Sequence, residues 1–170
     1  LCDNRKGHLK IMIANIPISF GGGPQAPRRI IVHVMGEFIH DVKTGKDYYA
    51  TDWLKKSGLS THAMGTPSGV IIQCHSEKLM AWHARDYNQD SLGYEFLCPG
   101  VHTYDTLIEA TKKPYLTETQ YQAGVEYIRR WMNMLTIEQI DRHSDVDPKR
   151  RWFDPGDGFP WAQFLEDIQG

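Results

Sequence analysis

The sequence predicts one α/β domain with a central mixed β-sheet flanked by helices. Strand patterns rich in β-branched residues alternate with helical patterns along the chain, as expected for this class. The 170 residues suffice for one ordinary domain that buries a core. Neither an internal repeat nor a low-complexity tract is present. A hydrophobic content of 41% with 24% charged residues is typical of a globular protein.

The clearest strand signals are Ile30–Met35, a dense β-branched run, and Ser91–Leu97. Before them, residues 1–27 are expected to form an N-terminal arm packed on the domain. This arm contains an apolar stretch without clear period, Leu9–Ile18. The glycine-rich segment Gly21–Pro24 that follows predicts a flexible loop.

The middle of the chain predicts a helix followed by a hairpin. Tyr48–Lys56 has the pattern of a short helix, and Gly58 suits its left-handed end. Thr61–Met64 and Val70–Cys74 are two predicted strands. The turn residues Pro67-Ser68-Gly69 between them indicate that the strands form a hairpin.

The longest predicted helix runs from Glu118 to Leu135. Thr117 and Gln120 have the spacing of a capping box before it. Apolar residues at helical spacing predict its buried face: Tyr121, Val125, Ile128, Trp131 and Met132. Ile137–Asp141 is expected to form a short last strand, and Pro160–Ile168 a closing helix with proline in its first turn.

Charge and composition argue against several classes of protein. The formal net charge is −2, which disfavours a nucleic-acid binder that relies on a broad basic surface. There is no apolar run long enough to span a membrane, and no signal peptide is visible. We expect a monomer. Cys2, Cys74 and Cys98 allow at most one disulfide, and pairing of Cys74 with Cys98 is left open.

Three residues are candidate metal ligands. His143 lies near a predicted strand end, and Asp154 follows across a polar loop closed by Pro155-Gly156. His33 lies within an apolar strand, where a buried imidazole is costly unless its ring nitrogens are bound. Zinc accepts histidine nitrogen and carboxylate oxygen. Spacing alone also allows an ordinary buried histidine and an ordinary turn.

Four segments together resemble the type 2 N-acetylmuramoyl-L-alanine amidases: RIIVHVMG, LSTHAMG, AWHARDYNQDSLGYEF and RHSDVDPKRRWFDPGDGFPW. The resemblance covers residues 28–168 of the chain. That group includes phage endolysins, bacterial wall-recycling amidases and peptidoglycan recognition proteins. The resemblance implies that residues 28–170 are a zinc amidase domain. Such a domain hydrolyses the bond between N-acetylmuramic acid and L-alanine in peptidoglycan and acts on the bacterial cell wall, as a phage-released or secreted enzyme.

The resemblance also implies the roles of the site residues. His33, His143 and Asp154 correspond to the ligands of one Zn²⁺ per chain, with water at the fourth position. Glu95 in SLGYEF corresponds to the general base, which takes the proton of the attacking water. An outward-facing strand residue is the alternative for Glu95.

One position departs from the family pattern. A lysine usually precedes the last ligand by two residues, where it stabilises the oxyanion, but this chain has Trp152 there. If the loop contains one inserted residue, Arg151 takes that place. Lys149 and Arg150 are the alternatives, and a guanidinium can stabilise an oxyanion.

Four further residues are predicted to bind substrate. Trp82, His83 and Asn88 match positions that line the substrate groove of the family. His62 is expected in the pocket wall or behind a ligand. The residue before it is Thr61, where another branch of the family has tyrosine, so a tyrosine-assisted mechanism is not expected.

Other functions are less consistent with the sequence. His75-Ser76-Glu77 imitates one motif of the zinc deaminases, but their PCxxC partner is missing, and HExxH is absent. The alternative that remains is a peptidoglycan-binding module of the same fold without catalysis. Complete candidate ligands and Glu95 favour hydrolysis over binding alone.

Overall fold

The structure, a computed structural model, describes residues 11–170. Within them the strands are β1 (Met12–Asn15), β2 (Gly21–Pro24), β3 (Arg29–Asp41), β4 (Lys46–Tyr49), β5 (Ala63–Gly65), β6 (Val70–Gln73), β7 (Leu79–Ala81), β8 (Ser91–His102) and β9 (Gln139–Arg142). The helices are α1 (Ala50–Ser57), α2 (Tyr104–Thr111), α3 (Glu118–Met134), α4 (His143–Val146) and α5 (Trp161–Gln169), with a 3₁₀ helix at Arg85–Asp90. None of the helices in residues 11–170 has the length and apolarity needed to cross a membrane.

The main sheet has seven strands in the order β1-β6-β5-β8-β3-β4, and β9 also pairs with β3. Strand β3 runs parallel to β8 and β9 and antiparallel to β4, so the sheet is mixed. β2 and β7 form a separate antiparallel pair. The predicted fold class is confirmed.

The two faces of the sheet differ because successive side chains of a strand point to opposite sides. On one face, Tyr94 and Phe96 of β8 pack with α3 and α5 in an apolar cluster. The opposite face packs Leu97 of β8 against α1 in a second apolar cluster. Glu95 alternates with Tyr94 and Phe96 along β8, so its side chain is on the same face as Leu97.

The predicted end of α1 at Gly58 is confirmed, and the predicted capping box before α3 is confirmed in part. Helix α1 ends at Gly58 with φ 67°, the left-handed conformation that glycine adopts without strain. Thr117 caps α3 and accepts a hydrogen bond from the Gln120 backbone. The reciprocal half of the capping box is wrong, because the Gln120 side chain is buried and donates to Gly65 O and Leu97 O.

The predicted flexible loop at Gly21–Pro24 is wrong, because these residues form β2 and pair with β7. A Cβ at Gly21 would lie 2.4 Å from the Met80 carbonyl oxygen, so glycine permits the close backbone approach. In the predicted arm, Met12–Asn15 is an edge strand that runs parallel to Val70–Gln73. The first part of the apolar stretch lies outside the described residues, and the domain division at residue 27 stays a prediction.

The hairpin and the later strands form near their predicted positions. β5 and β6 are antiparallel, with Ala63 opposite Gln73. Helix α2 was not predicted, and Pro160 lies just before α5 rather than in its first turn. Cys74 and Cys98 are buried and form no disulfide within residues 11–170, so they are not paired with each other. Cys2 lies outside the described residues.

Candidate active site

Two candidate residues lie on neighbouring strands at the centre of the sheet. His33 of β3 is in register with Glu95 of β8, and the parallel pairing holds both side chains at the same level. His33 is 2% exposed and Glu95 8% exposed. A buried imidazole and a buried carboxyl side by side are costly unless they serve a site.

His143 and Asp154 reach the same place by different routes. Arg142, the last residue of β9, is opposite Val32, so His143 emerges beside His33. The loop after α4 brings back Asp154, whose Oδ1 accepts a hydrogen bond of 2.7 Å from the Val34 backbone. The backbone of Ser144 donates to Asp154 O at 2.9 Å. These bonds fix the carboxylate at the edge of β3.

The ligand atoms of the three residues converge on one point. The Nδ1 atoms of His33 and His143 are 2.8 Å apart, and His143 Nδ1 is 2.9 Å from Asp154 Oδ2. His33 Nδ1 and Asp154 Oδ2 are separated by 3.7 Å. One potential ligand atom from each residue lies within 4.8 Å of the others, and all three residues are buried. Two imidazole nitrogens and one carboxylate oxygen are a donor set that suits Zn²⁺.

The protonation states agree with this donor set. Burial and the neighbouring His143 lower the pKa of His33 to about 4, so its ring is neutral at neutral pH. Burial raises the pKa of Asp154, but the neighbouring imidazoles of His143 and His33 outweigh it and hold the value at about 2. A neutral imidazole and an ionised carboxylate are the forms that bind metal.

Glu95 has the surroundings of a proton acceptor. Its Oε2 has no hydrogen-bond partner among residues 11–170, and its side chain lines the cavity described below. Burial and the Asp154 carboxylate raise its pKa well above the ordinary value, while Arg151 opposes this rise. A carboxyl group with a raised pKa can both take and return a proton near neutral pH.

The three cations that follow α4 lie in different surroundings. Arg151 lines the cavity with the three candidate ligands and Glu95. Lys149 and Arg150 are exposed, and Arg150 Nε donates to Asp147 Oδ2 at 2.8 Å. Of the three cations that the sequence left open, Arg151 is the one in the cavity wall.

A cavity of about 780 Å³ has the three candidate ligands, Glu95 and Arg151 at its floor. Trp82 and His83 line it, and Trp82 is 40% exposed. Its walls also contain residues that the sequence analysis did not identify: Trp53 and Leu59 near α1, and Tyr104, Leu107 and Phe153 near α2. Helix α2 was missed as an element, although Thr103 and Thr106 form a capping box at its start that could have indicated it.

His62 and Asn88 do not line this cavity. His62 is fully buried, its Nδ1 accepts from the Gly93 backbone at 3.0 Å and its Nε2 lies 3.0 Å from Leu79 O. Asn88 Oδ1 accepts from the backbone of His83 and of Ala84, at 3.0 and 2.6 Å. Both side chains bind the backbone behind the cavity wall, and their predicted contact with substrate stays a prediction.

The segment after Asp154 is attached to the end of α2 and the loop that follows it. Tyr115 Oη donates to Pro155 O at 2.9 Å, and the Gly158 backbone donates to Thr111 O at 2.8 Å. A Cβ at Gly158 would lie 1.9 Å from the Lys113 carbonyl oxygen, so the two segments are in direct contact. The position of the Asp154 carboxylate therefore depends on residues 111–115.

The comparison with known families decides the class of protein. The sequence model of the family described as N-acetylmuramoyl-L-alanine amidase matches residues 23–157. The chain belongs to this family. The amidase activity that the sequence analysis predicted is confirmed at the level of the family.

Solved structures show the same amidase fold. The endolysin N-acetylmuramoyl-L-alanine amidase LysCS from Clostridium intestinale matches with a TM-score of 0.69 at 19% identity, over 96% of this chain and 99% of that one. A selenomethionine derivative of AmpD matches with a TM-score of 0.68 at 21% identity, over 91% and 93%. Drosophila peptidoglycan recognition protein SD gives a TM-score of 0.62 at 12% identity, over 91% and 94%. Among curated proteins, no sequence matches this amidase significantly.

Proposed function

We propose that the protein is a zinc-dependent enzyme that hydrolyses the amide bond between N-acetylmuramic acid and L-alanine in bacterial peptidoglycan. The observation that carries this proposal is the convergence of His33, His143 and Asp154 beside the buried Glu95, whose Oε2 has no hydrogen-bond partner in the described part of the chain. The three residues would hold one Zn²⁺. When bound, this ion polarises the scissile carbonyl and lowers the pKa of the attacking water.

Glu95 would act as general base and then as general acid. Its raised pKa favours uptake of the proton of the attacking water and delivery of that proton to the leaving amine nitrogen of L-alanine. Since its Oε2 is not engaged by another group of residues 11–170, no hydrogen bond has to break before the transfer.

Arg151 would stabilise the negative charge that develops on the carbonyl oxygen. Its guanidinium belongs to the same cavity wall as Glu95 and Asp154, and a cation in a partly buried site is effective there. The family that the sequence resembles usually has a lysine in this role. An arginine carries the same positive charge and offers more hydrogen-bond donors.

The substrate would lie along the cavity over the floor formed by the site. The exposed face of Trp82 suits a sugar ring or an apolar peptide side chain, and about 780 Å³ accommodates a muropeptide fragment. His83 contributes to the wall at the His33 end. Such an enzyme would act on the bacterial cell wall, as a phage endolysin or a bacterial lytic amidase.

A peptidoglycan-binding module without catalysis is the alternative. The complete donor set and the buried Glu95 favour hydrolysis, because a groove that only binds gains nothing from a buried carboxyl with a raised pKa.

The test combines metal analysis with product analysis. Purified protein should contain about one zinc per chain and should release free L-alanine amino termini from purified cell walls, and a chelator should abolish this release. Release that continues unchanged with the chelator would contradict the metal mechanism. Zinc binding without any cleavage would favour the binding module, and cleavage at another bond would redirect the assignment.

A further inference from the structure

A line of hydrogen bonds leads from the candidate zinc site into the protein. His33 Nε2 lies 2.9 Å from His83 Nδ1, on the side of the ring opposite the other two candidate ligands. His83 Nε2 lies 3.2 Å from Ser91 Oγ, and Ser91 Oγ donates to Tyr87 O at 2.5 Å. Hydrogen bonds thus connect four residues in the order His33, His83, Ser91 and Tyr87.

The last member of this line determines where each proton lies. A backbone carbonyl can only accept, so the single hydroxyl proton of Ser91 is directed to Tyr87 O. Ser91 Oγ must then accept from His83 Nε2–H. A neutral His83 with its proton on Nε2 has an unprotonated Nδ1, which accepts from His33 Nε2–H.

The consequence for His33 is a fixed tautomer. With its proton on Nε2, the lone pair of Nδ1 is free, and Nδ1 is the atom that faces His143 Nδ1 and Asp154 Oδ2. The opposite tautomer would place a proton where the metal has to bind. A hydrogen bond to the second ring nitrogen is a common way to orient a metal-binding histidine.

The strand β8 is shaped to hold this line. A Cβ at Gly93 would lie 2.6 Å from Cγ and Nδ1 of His83, so only glycine leaves room for the ring. Ser91, Gly93 and Glu95 alternate along the strand and share one face. The SLGYE motif therefore supplies a hydrogen-bond acceptor, space for His83, and a candidate base.

We propose that His83 and Ser91 are positioning residues that hold His33 in the tautomer ready for metal, rather than groups that bind substrate. This inference rests on the proposed function, since it takes His33 as a zinc ligand. It reassigns His83 from the predicted substrate contacts and gives Ser91 a role in the site.

The first test is zinc affinity, measured on the purified full chain by competition with a chromophoric chelator. His83→Ala should weaken zinc binding by about 10- to 100-fold, as expected when a group that supports a metal ligand is removed. Ser91→Ala should weaken it by a smaller factor. His83→Gln, which keeps an acceptor and a donor, should recover part of the loss.

Trp82→Ala is the matched control, because Trp82 lines the cavity next to His83 but makes no bond in this line. Its zinc affinity should equal that of the unchanged protein. If His83→Ala does not fold, Ser91→Ala carries the test, since it removes one hydroxyl oxygen. Unchanged zinc affinity in folded His83→Ala, or in Ser91→Ala where it stands in, would overturn the inference.

The second test needs no metal. Nitrogen-15 spectra of the histidine rings in the zinc-free protein should show the proton of His33 on Nε2, and in Ser91→Ala a mixture of tautomers. A proton on Nδ1 in the unchanged protein would refute the proposed order of protons. A failure of the proposed function can be distinguished from a failure of this inference. If the zinc site itself is wrong, His143→Ala will leave zinc binding intact, whatever the tautomer of His83.

Discussion

His33 and His62 are both buried histidines beside strand β8, yet their ring nitrogens face different partners. The Nδ1 atom of His62 accepts from the Gly93 backbone, and its Nε2 lies 3.0 Å from Leu79 O and 2.9 Å from the Gln25 side-chain amide nitrogen. For His33, one nitrogen faces His83 and the other faces two candidate metal ligands. Burial lowers the pKa of both rings, to about 4 for His33 and about 3 for His62. Burial and charge state therefore do not distinguish a ligand from a structural histidine, whereas the partners of the second nitrogen do.

The largest expected effect separates these two residues directly. His33→Ala should lose bound zinc and wall hydrolysis, because two ligands remain of three. His62→Ala should keep one zinc per chain but lower the free energy of unfolding by about 1–3 kcal/mol for each backbone group left unpaired. Metal analysis and urea unfolding measure both outcomes. Zinc loss in His62→Ala with normal zinc in His33→Ala would reverse the comparison.

The second-largest effect is expected at Glu95, which is opposite His33 in the strand pairing. Glu95→Gln should retain zinc yet lose about 10²- to 10⁴-fold in kcat, since the amide cannot accept a proton. Hydrolysis of purified walls, followed by the appearance of free amino termini, measures the rate. Near-normal turnover with zinc present would remove Glu95 from the role of base.

A smaller effect is expected at the cation of the site. Arg151→Ala should lower kcat by about 10²- to 10³-fold, the usual result of removing one oxyanion donor. Arg150→Ala is the matched control, because its guanidinium is exposed and bound to Asp147. Equal losses in the two variants would indicate a general effect of charge rather than contact with the substrate.

The smallest expected effect is on the pH dependence of the free energy of unfolding of the zinc-free protein. Both histidines have folded-state pKa values below 6.5, so their stabilising contribution is complete above that pH. It declines as the pH falls from 6.5 to about 4 for His33 and to about 3 for His62, because the unfolded chain binds more protons there. Each should contribute at most about 1.4 kcal/mol per pH unit. Thermal unfolding across this range should show a flatter slope in His62→Gln, and an unchanged slope would contradict the assigned shift.

The sequence predicted much of this site because its residues follow local patterns. His33 is a polar residue in an apolar strand, and His143 and Asp154 flank one loop, so spacing made them candidate ligands. The family resemblance then assigned their roles. The roles of His62 and Asn88 could not be read in this way. The Gly93 backbone comes close to His62 only after the strands have paired. Asn88 binds the backbone of residues only four and five positions earlier, but no predicted element covered that local turn.

The same distinction explains what was missed in the fold. The glycines of β2 have no side chains to show an alternating pattern, so their pairing with β7 depends on the rest of the structure. The cavity wall on α2 is another case, because Tyr104 and Leu107 follow the end of the long strand β8 after a single residue, Thr103. Thr103 caps the helix, but one threonine beside a strand is a weak signal for a new element.

The attachment of the Asp154 segment to residues 111–115 links the position of a candidate metal ligand to the shape of the cavity wall. The same stretch of chain follows α2, whose Tyr104 and Leu107 form the outer cavity wall. Changes that alter which wall fragments are accepted there would also displace a candidate metal ligand if they reach Thr111 or Tyr115. Variation in substrate preference among such enzymes is therefore expected to concentrate at the start of this helix and to spare its end.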